Sequence, residues 1–304
     1  MSSDPHPPAR VFSPAREEAQ TAANATSSAQ TEDQSYRLAF QDMDFLLRED
    51  LRPVRFQLEL LKPELLLDEA KIASTFVFYG SARIPEPERA HSLVETAMTD
   101  QQRLIATRLQ EKARYYDVAR ELARIAGAVG PDADGWRQFV VCSGGGPSIM
   151  EAANRGAGDV GAESIGLNIV LPHEQLPNPH VTPHLSFQFH YFALRKMHFL
   201  LRARAVAVFP GGFGTFDEAF ELLTLIQTGK VKRIPIMFFG REFWNRVVNF
   251  EALVEEGVIS PADLELFTFC DTAQEAWDEV GRFYADRESK LAGWPQGLPS
   301  RSTR

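Results

Sequence analysis

The chain has 304 residues, long enough for one large domain or two small ones with a sizeable core. Lys and Arg total 32 against 41 Asp and Glu, a formal net charge of −9, so no electrostatic footprint for bulk nucleic-acid binding is present, although a local basic pocket for a small anion is compatible with it. Two cysteines, Cys142 and Cys270, exclude a disulfide framework and fit a reducing compartment.

No stretch approaches the ~20 apolar residues that span a bilayer. No apolar segment of the signal-peptide kind follows Met1, and Asp4, Glu17, Glu18, Glu32 and Asp33 argue against an organellar transit peptide. The expected location is cytoplasmic, with no membrane partner.

Residues 1–36 are rich in Ala, Ser, Thr, Pro and Gln, and the segment is expected to be a disordered tail because it offers little apolar surface to bury. Residues 37–70 predict a small helical cap. AFQDMDFLLREDL and VRFQLELLKPELLL are its two helical stretches, interrupted at Pro53.

From residue 71 to 289 apolar runs alternate with amphipathic helices. STFVFYG predicts a buried strand closed by Gly80, and a long helix follows over about residues 100–128. FVVCSGGG is strand into turn, PSIMEAANRGA a helix, SIGLNIVL and HLSFQFH strands, and YFALRKMHFLLRA a helix. AVAVFPGGFGT is again strand into turn, FDEAFELLTLIQTG a helix and IPIMFFG a strand; FWNRVVNFEALVEEG, SPADLELF, FTFC and TAQEAWDEVGRFYADR complete the series. This alternation predicts an α/β fold, a Rossmann-like doubly wound parallel sheet with helices on both faces. Residues 290–304 are expected to form a loose tail.

In such sheets ligands bind beyond the carboxyl ends of the strands, where strand order changes. Three strand ends carry small or Gly-rich turns, YGSAR (79–83), SGGGPS (143–148) and PGGFGT (210–215). None fits the G-x-G-x-x-G dinucleotide fingerprint or the G-x-x-x-x-G-K-[ST] phosphate loop. Phosphate binding is still the reading of PGGFGT, because Gly211, Gly212 and Gly214 let backbone approach an anion at a helix start.

Each singled-out group has a purely structural alternative. Thr215-Phe216-Asp217-Glu218 fits a capping box, Thr215 as N-cap and Glu218 at the third helical position, which explains Glu218 without catalysis. Arg195, Lys196 and Arg202 fit a solvated basic face; their nearness to the phosphate turn favours a ligand role for Arg195 and Lys196. His180, His184, His190 and His198 invite a metal reading, but zinc needs convergent ligands, and Pro179 and Pro183 break the His180–His184 segment so that those two share no helix face; no metal is expected. Cys142, in an apolar strand, reads as a small buried residue.

PGGFGTFDE (210–218) resembles the PGGxGTxxE signature of the Lonely-guy family, whose members often carry the label lysine decarboxylase. SGGGPSIMEAANRGA (143–157) resembles its Gly-rich segment, with Ser148 where the usual pattern has Gly; YGSAR and LRKM resemble its first turn and its basic pair. The likeness covers roughly residues 70–285, and PNPHVTPHLSFQFHYF and LTLIQTGK resemble its longer, higher-oligomer branch. The resemblance implies hydrolysis of the N-glycosidic bond of nucleoside 5′-monophosphates, AMP or cytokinin riboside 5′-monophosphate, to free base and ribose 5-phosphate. It implies no cofactor, and a homo-oligomer of at least two and up to six copies with sites near the subunit interface. Carried over by motif, Arg195 and Glu218 are catalytic, with Lys196 nearby. Gly211, Gly212, Gly214 and Thr215 hold the phosphate, Gly80, Ser81 and Arg83 line the pocket with Gly145 in the second turn, and Met150 and Glu151 touch base or ribose. Ser148 adds a side chain expected to narrow that pocket.

A carboxylate suits this chemistry, because glycosidic cleavage builds oxocarbenium-like charge on the sugar. No second carboxylate stands out as general acid, and no lysine is identifiable as a Schiff-base residue with its partner groups. A competing reading is a non-catalytic nucleotide or molybdopterin-type carrier on the same turns. An interaction protein recruiting partners through its N-terminal tail has no motif to support it.

Overall fold

A computed structural model describes residues 12–172 and 176–290. The expected tail over 290–304 falls outside the described residues except for Lys290, as does the first part of the tail expected over 1–36. The chain divides into two compact units, Met1–Glu59 and Leu60–Arg304, and the division falls inside the Arg52–Glu69 helix. Pro53 is the second residue of that helix, where its missing N–H costs nothing, so it starts the helix instead of interrupting one. In the first unit, Ala15–Ala23 and Ala29–Glu32 are helical and bury no residue. The described part of the expected tail therefore has local helical structure, consistent with its alanine content.

The second unit is built on a seven-stranded sheet: β1 (Thr75–Tyr79), β2 (Val140–Ser143), β3 (Ser164–Ile169), β4 (Ser186–Phe189), β5 (Ala203–Val208), β6 (Ile236–Phe239) and β7 (Thr268–Cys270). All neighbours pair in parallel, in the order β4-β3-β2-β1-β5-β6-β7. The chain moves outward from β1 to β4, and then the Phe192–Leu201 helix returns it to β5 on the opposite side of β1. Strand order thus reverses between β1 and β5.

Alternating strand residues face opposite cores. Phe76 and Phe78 of β1, with Val141, Ala205, Phe209 and Phe239, pack against the Arg114–Gly127, Ile149–Asp159 and Ala273–Lys290 helices. Val77 and Tyr79, with Cys142, Leu167, Val208 and Phe238, face Phe199, Leu222 and Trp244 on the other side. Both faces of β1, β2 and β6 are covered, which is why these strands read as apolar runs, whereas edge strand β4, SFQF, alternates.

Two helical expectations need correction. The helix expected over 100–128 is two, Asp100–Lys112 and Arg114–Gly127, because bonds of the tighter i→i+3 kind, Ala113 N to Gln110 O and Tyr116 N to Ala113 O, turn the chain at buried Ala113. A further helix, Pro87–Glu95, precedes them, begun by a proline at its first position. Among the described residues no helix is long and apolar enough to cross a membrane.

Candidate active site

The reversal between β1 and β5 leaves a crevice at their carboxyl ends. Phe209 N donates to Tyr79 O at 2.8 Å and Ser81 N to Pro210 O at 3.1 Å, so the two strand ends stay zipped just where the turns begin. Above them lies a cleft of about 910 Å³, walled by residues 80–84 after β1, residues 210–216 after β5, and Gly144 and Met150 from the second turn.

The helix after β5 begins at Phe213, three residues before the expected start, with Gly212 as its N-cap and no side chain capping it. The expected capping box is therefore absent: Thr215 is buried inside the first turn, and Glu218 is the sixth helical residue. Glycine explains the shift. A Cβ on Gly211 would sit 2.1 Å from Thr215 Oγ1, so only glycine lets the chain fold this tightly over the threonine. Residues 213–215 then present amides with no intrahelical partner to the cleft, together with the positive end of the helix dipole.

Glu218 projects into the same cleft and meets Arg195, Nη1 to Oε1 at 3.3 Å. Their side chains are only 14% and 11% exposed. Burial pushes the Glu218 carboxyl up to about 7; the Arg195 guanidinium pulls it back, and the neighbouring carboxylate of Asp217 pushes it further up. Arg195 is fixed by its own contacts: Nε donates to Leu167 O of β3 at 2.7 Å, and the guanidinium lies 5.0 Å over the Phe199 ring. Gly144 is the reason there is room for it, since a Cβ there would lie 2.6 Å from Arg195 Nη2 and 2.8 Å from Met150 Sδ.

A buried amide network shapes the second turn. Ser143 Oγ donates to Asn154 Oδ1 at 2.7 Å and accepts from Gly145 N at 3.0 Å; Asn178 Nδ2 donates to Asn154 Oδ1 and to Gly146 O, both at 2.9 Å. Each buried polar group has a partner, so the turn is rigid. Gly145 has φ +71° and would drive a Cβ into Asn168, so it serves the turn rather than the cleft wall.

Of the residues expected in the site, the structure gathers Arg195 and Glu218 with Gly211, Gly212, Gly214 and Thr215 on one side of the cleft, and Gly80, Ser81, Arg83 and Met150 on the others. Three are elsewhere. Lys196 turns to the outer side of the helix pair and binds Asp217 at 3.0 Å and Glu221 at 3.1 Å, because successive residues of a helix point to different faces. Glu151 and Gly145 do not line the cleft. Ser148 does not narrow it either: its hydroxyl donates to Ile84 O, away from the open space.

Sequence reading missed Tyr79, Lys112 and Phe243. Tyr79, 3% exposed, stacks edge-on to Phe199 at 5.1 Å, and burial with the nearby Glu218 charge keeps its phenol protonated. Lys112 Nζ lies 5.9 Å over Phe243, and burial lowers its pKa. Neither Lys112 nor Phe243 lies near a turn motif, so no local pattern marks them; Tyr79, the last residue of β1, had only its place before Gly80 as a signal. Cys142 is buried under the Arg195–Glu218 pair, and burial pushes its thiol up, away from nucleophilic character.

The sequence matches the family described as "possible lysine decarboxylase" over residues 150–280. A probable cytokinin riboside 5′-monophosphate phosphoribohydrolase of Oryza sativa subsp. japonica is 28% identical over 193 residues, 61% of this chain and 86% of that protein. A cytokinin riboside 5′-monophosphate phosphoribohydrolase of Arabidopsis thaliana is 27% identical over 140 residues, 45% of this chain and 63% of that protein. Among solved structures, the Moco carrier protein from Chlamydomonas reinhardtii is similar at 16% identity, covering 70% of this chain and 99% of that one with a TM-score of 0.39. The sequence match and the plant relatives agree with the motifs at 143–157 and 210–218, so the chain is similar to the Lonely-guy family by motif and by overall sequence comparison alike.

Proposed function

We propose that the protein hydrolyses the N-glycosidic bond of nucleoside 5′-monophosphates, AMP or cytokinin riboside 5′-monophosphate, releasing the base and ribose 5-phosphate. The observation that carries this reading is the buried Glu218–Arg195 pair in the cleft that also holds the amides of 213–215. The names of the plant relatives point the same way. In this reading the 5′-phosphate sits on the helix N-terminus, where N–H groups and dipole favour an anion. The sugar then lies toward Glu218, about one turn further along the helix. As the bond to the base lengthens, positive charge grows on the anomeric carbon, and the Glu218 carboxylate offsets it while orienting the attacking water. Arg195 holds that carboxylate in place. Among the described residues Glu218 is the one carboxylate lining the cleft, so the arrangement differs from glycosidases that work with two.

The test is incubation with AMP, adenosine and ATP, with free adenine and ribose 5-phosphate followed by chromatography. AMP is expected to turn over and adenosine far more slowly, because adenosine offers nothing to the helix N-terminus. Equal turnover of the two would remove the phosphate role of residues 211–215. Tight AMP binding with no base release would identify a nucleotide carrier instead.

A further inference from the structure

Ser148 begins the Ile149–Asp159 helix with φ 68° and ψ −123°. Glycine takes up that backbone freely, whereas a residue with a Cβ is strained there and persists only where its surroundings hold it. The side chain shows what holds it. Ser148 is buried, and its hydroxyl donates to the carbonyl of Ile84, itself 1% exposed. Ile84 closes the 80–84 segment, which forms one wall of the cleft. Two residues later Glu86 is bound to Arg155 of the same helix at 2.7 Å. At its other end the segment is fixed by Ser81 N on Pro210 O. Between these anchors Arg83 stands exposed at the cleft, its guanidinium in no ion pair among the described residues.

We infer that Ser148 is a positioning residue: through the Ile84 carbonyl it holds the 80–84 wall in place and keeps Arg83 facing an anionic ligand in the cleft. The strained backbone is retained for the hydroxyl that glycine would lack. The identity of the anion as a nucleotide phosphate rests on the reading above; the tether itself does not.

Two variants of the full chain separate the tether from the strain. Ser148→Gly removes the hydroxyl and relieves the backbone, so Tm is expected to hold or rise. Ser148→Ala removes the hydroxyl and keeps the strain, so Tm is expected to fall. In both, amide exchange over residues 82–86 is expected to accelerate, by about threefold to tenfold for one lost hydrogen bond. KM for AMP should rise by a similar factor with kcat nearly constant, since Ser148 touches neither Glu218 nor Arg195. Unchanged exchange over 82–86 in both variants overturns the inference, and so does faster exchange with KM unchanged. If the wild-type protein binds AMP without releasing base, its Kd for AMP replaces KM. If it does neither, the nucleotide reading fails, and the exchange measurement alone decides the tether.

Discussion

Replacing Glu218 by Gln separates a catalytic carboxylate from a structural one, and stability and rate should move in opposite directions. In the folded protein burial raises the carboxyl from 4.5 to about 7. At about 1.4 kcal/mol per pH unit, that rise corresponds to roughly 3 kcal/mol against the charged form. For a carboxyl raised on folding, the folded state binds more protons than the unfolded chain between these two values, so stability falls as pH rises from 4.5 through about 7. Below 4.5 both states are protonated and the penalty vanishes; above about 7 it is complete. Gln is neutral throughout, and its amide oxygen still accepts from Arg195. The variant should therefore gain less than about 1 kcal/mol over wild type at pH 5 and about 3 kcal/mol at pH 8. For a unit of this size that is a Tm advantage on the order of 5–10 °C at the higher pH, measured by calorimetry. Base release from AMP should fall by about 10²–10³, the scale of losing one preorganised electrostatic group. Near-normal base release from the folded variant would refute the catalytic assignment. A Tm difference that ignores pH would refute the buried, titrating carboxylate.

In the proposed reaction the ionised form faces the developing charge, so kcat/KM for AMP should rise with pH through a step near 7 and the step should vanish in Glu218→Gln; a flat profile in wild type speaks against the role. Gly144→Ala puts a Cβ 2.6 Å from Arg195 Nη2, so a fold intact by circular dichroism should accompany a loss of base release of about 100-fold, the cost of a misplaced catalytic group. Deletion of residues 1–36, whose helices Ala15–Ala23 and Ala29–Glu32 bury no residue, should leave base release intact, as a progress curve with the truncated chain would show.

The inner strands could be read from the sequence because β1, β2 and β6 are buried throughout and are apolar runs leading directly into glycine. Even FTFC is a strand, pairing in parallel with β6. Helix starts were harder. Pro87 carries a start signal, yet the Pro87–Glu95 helix begins inside the IPEPE stretch, where Pro85 stands just ahead of it. Arg195 and Glu218 were found through motif position, but what holds them together was not legible. Phe199 lies one turn further along the helix that carries Arg195, but Leu167 and Gly144 approach it from two other parts of the chain. Lys196 shows the opposite limit. Adjacent to Arg195 in sequence, it belongs to an exterior ion cluster, and only the rotation of the helix decides which neighbour enters the cleft.

The start of the helix after β5 bears most directly on function. Read locally, T-F-D-E is a sufficient reason for a glutamate at 218, because a capping box satisfies two backbone amides. Once Gly211 and Gly212 let the helix begin at Phe213, that reason is gone, and the first amides are left open toward the cleft instead. What is left is a carboxyl that burial holds near 7, beside an arginine whose own place depends on a glycine at 144. Folding alone gives no return for that arrangement, since a neutral residue of the same size would be more stable at neutral pH. A group kept against its folding cost, within reach of an anion site, is what transition-state stabilisation requires. That is why the pH-dependent stability of Glu218→Gln and its expected loss of turnover belong to one argument: the charge that costs the fold is the charge the proposed reaction needs.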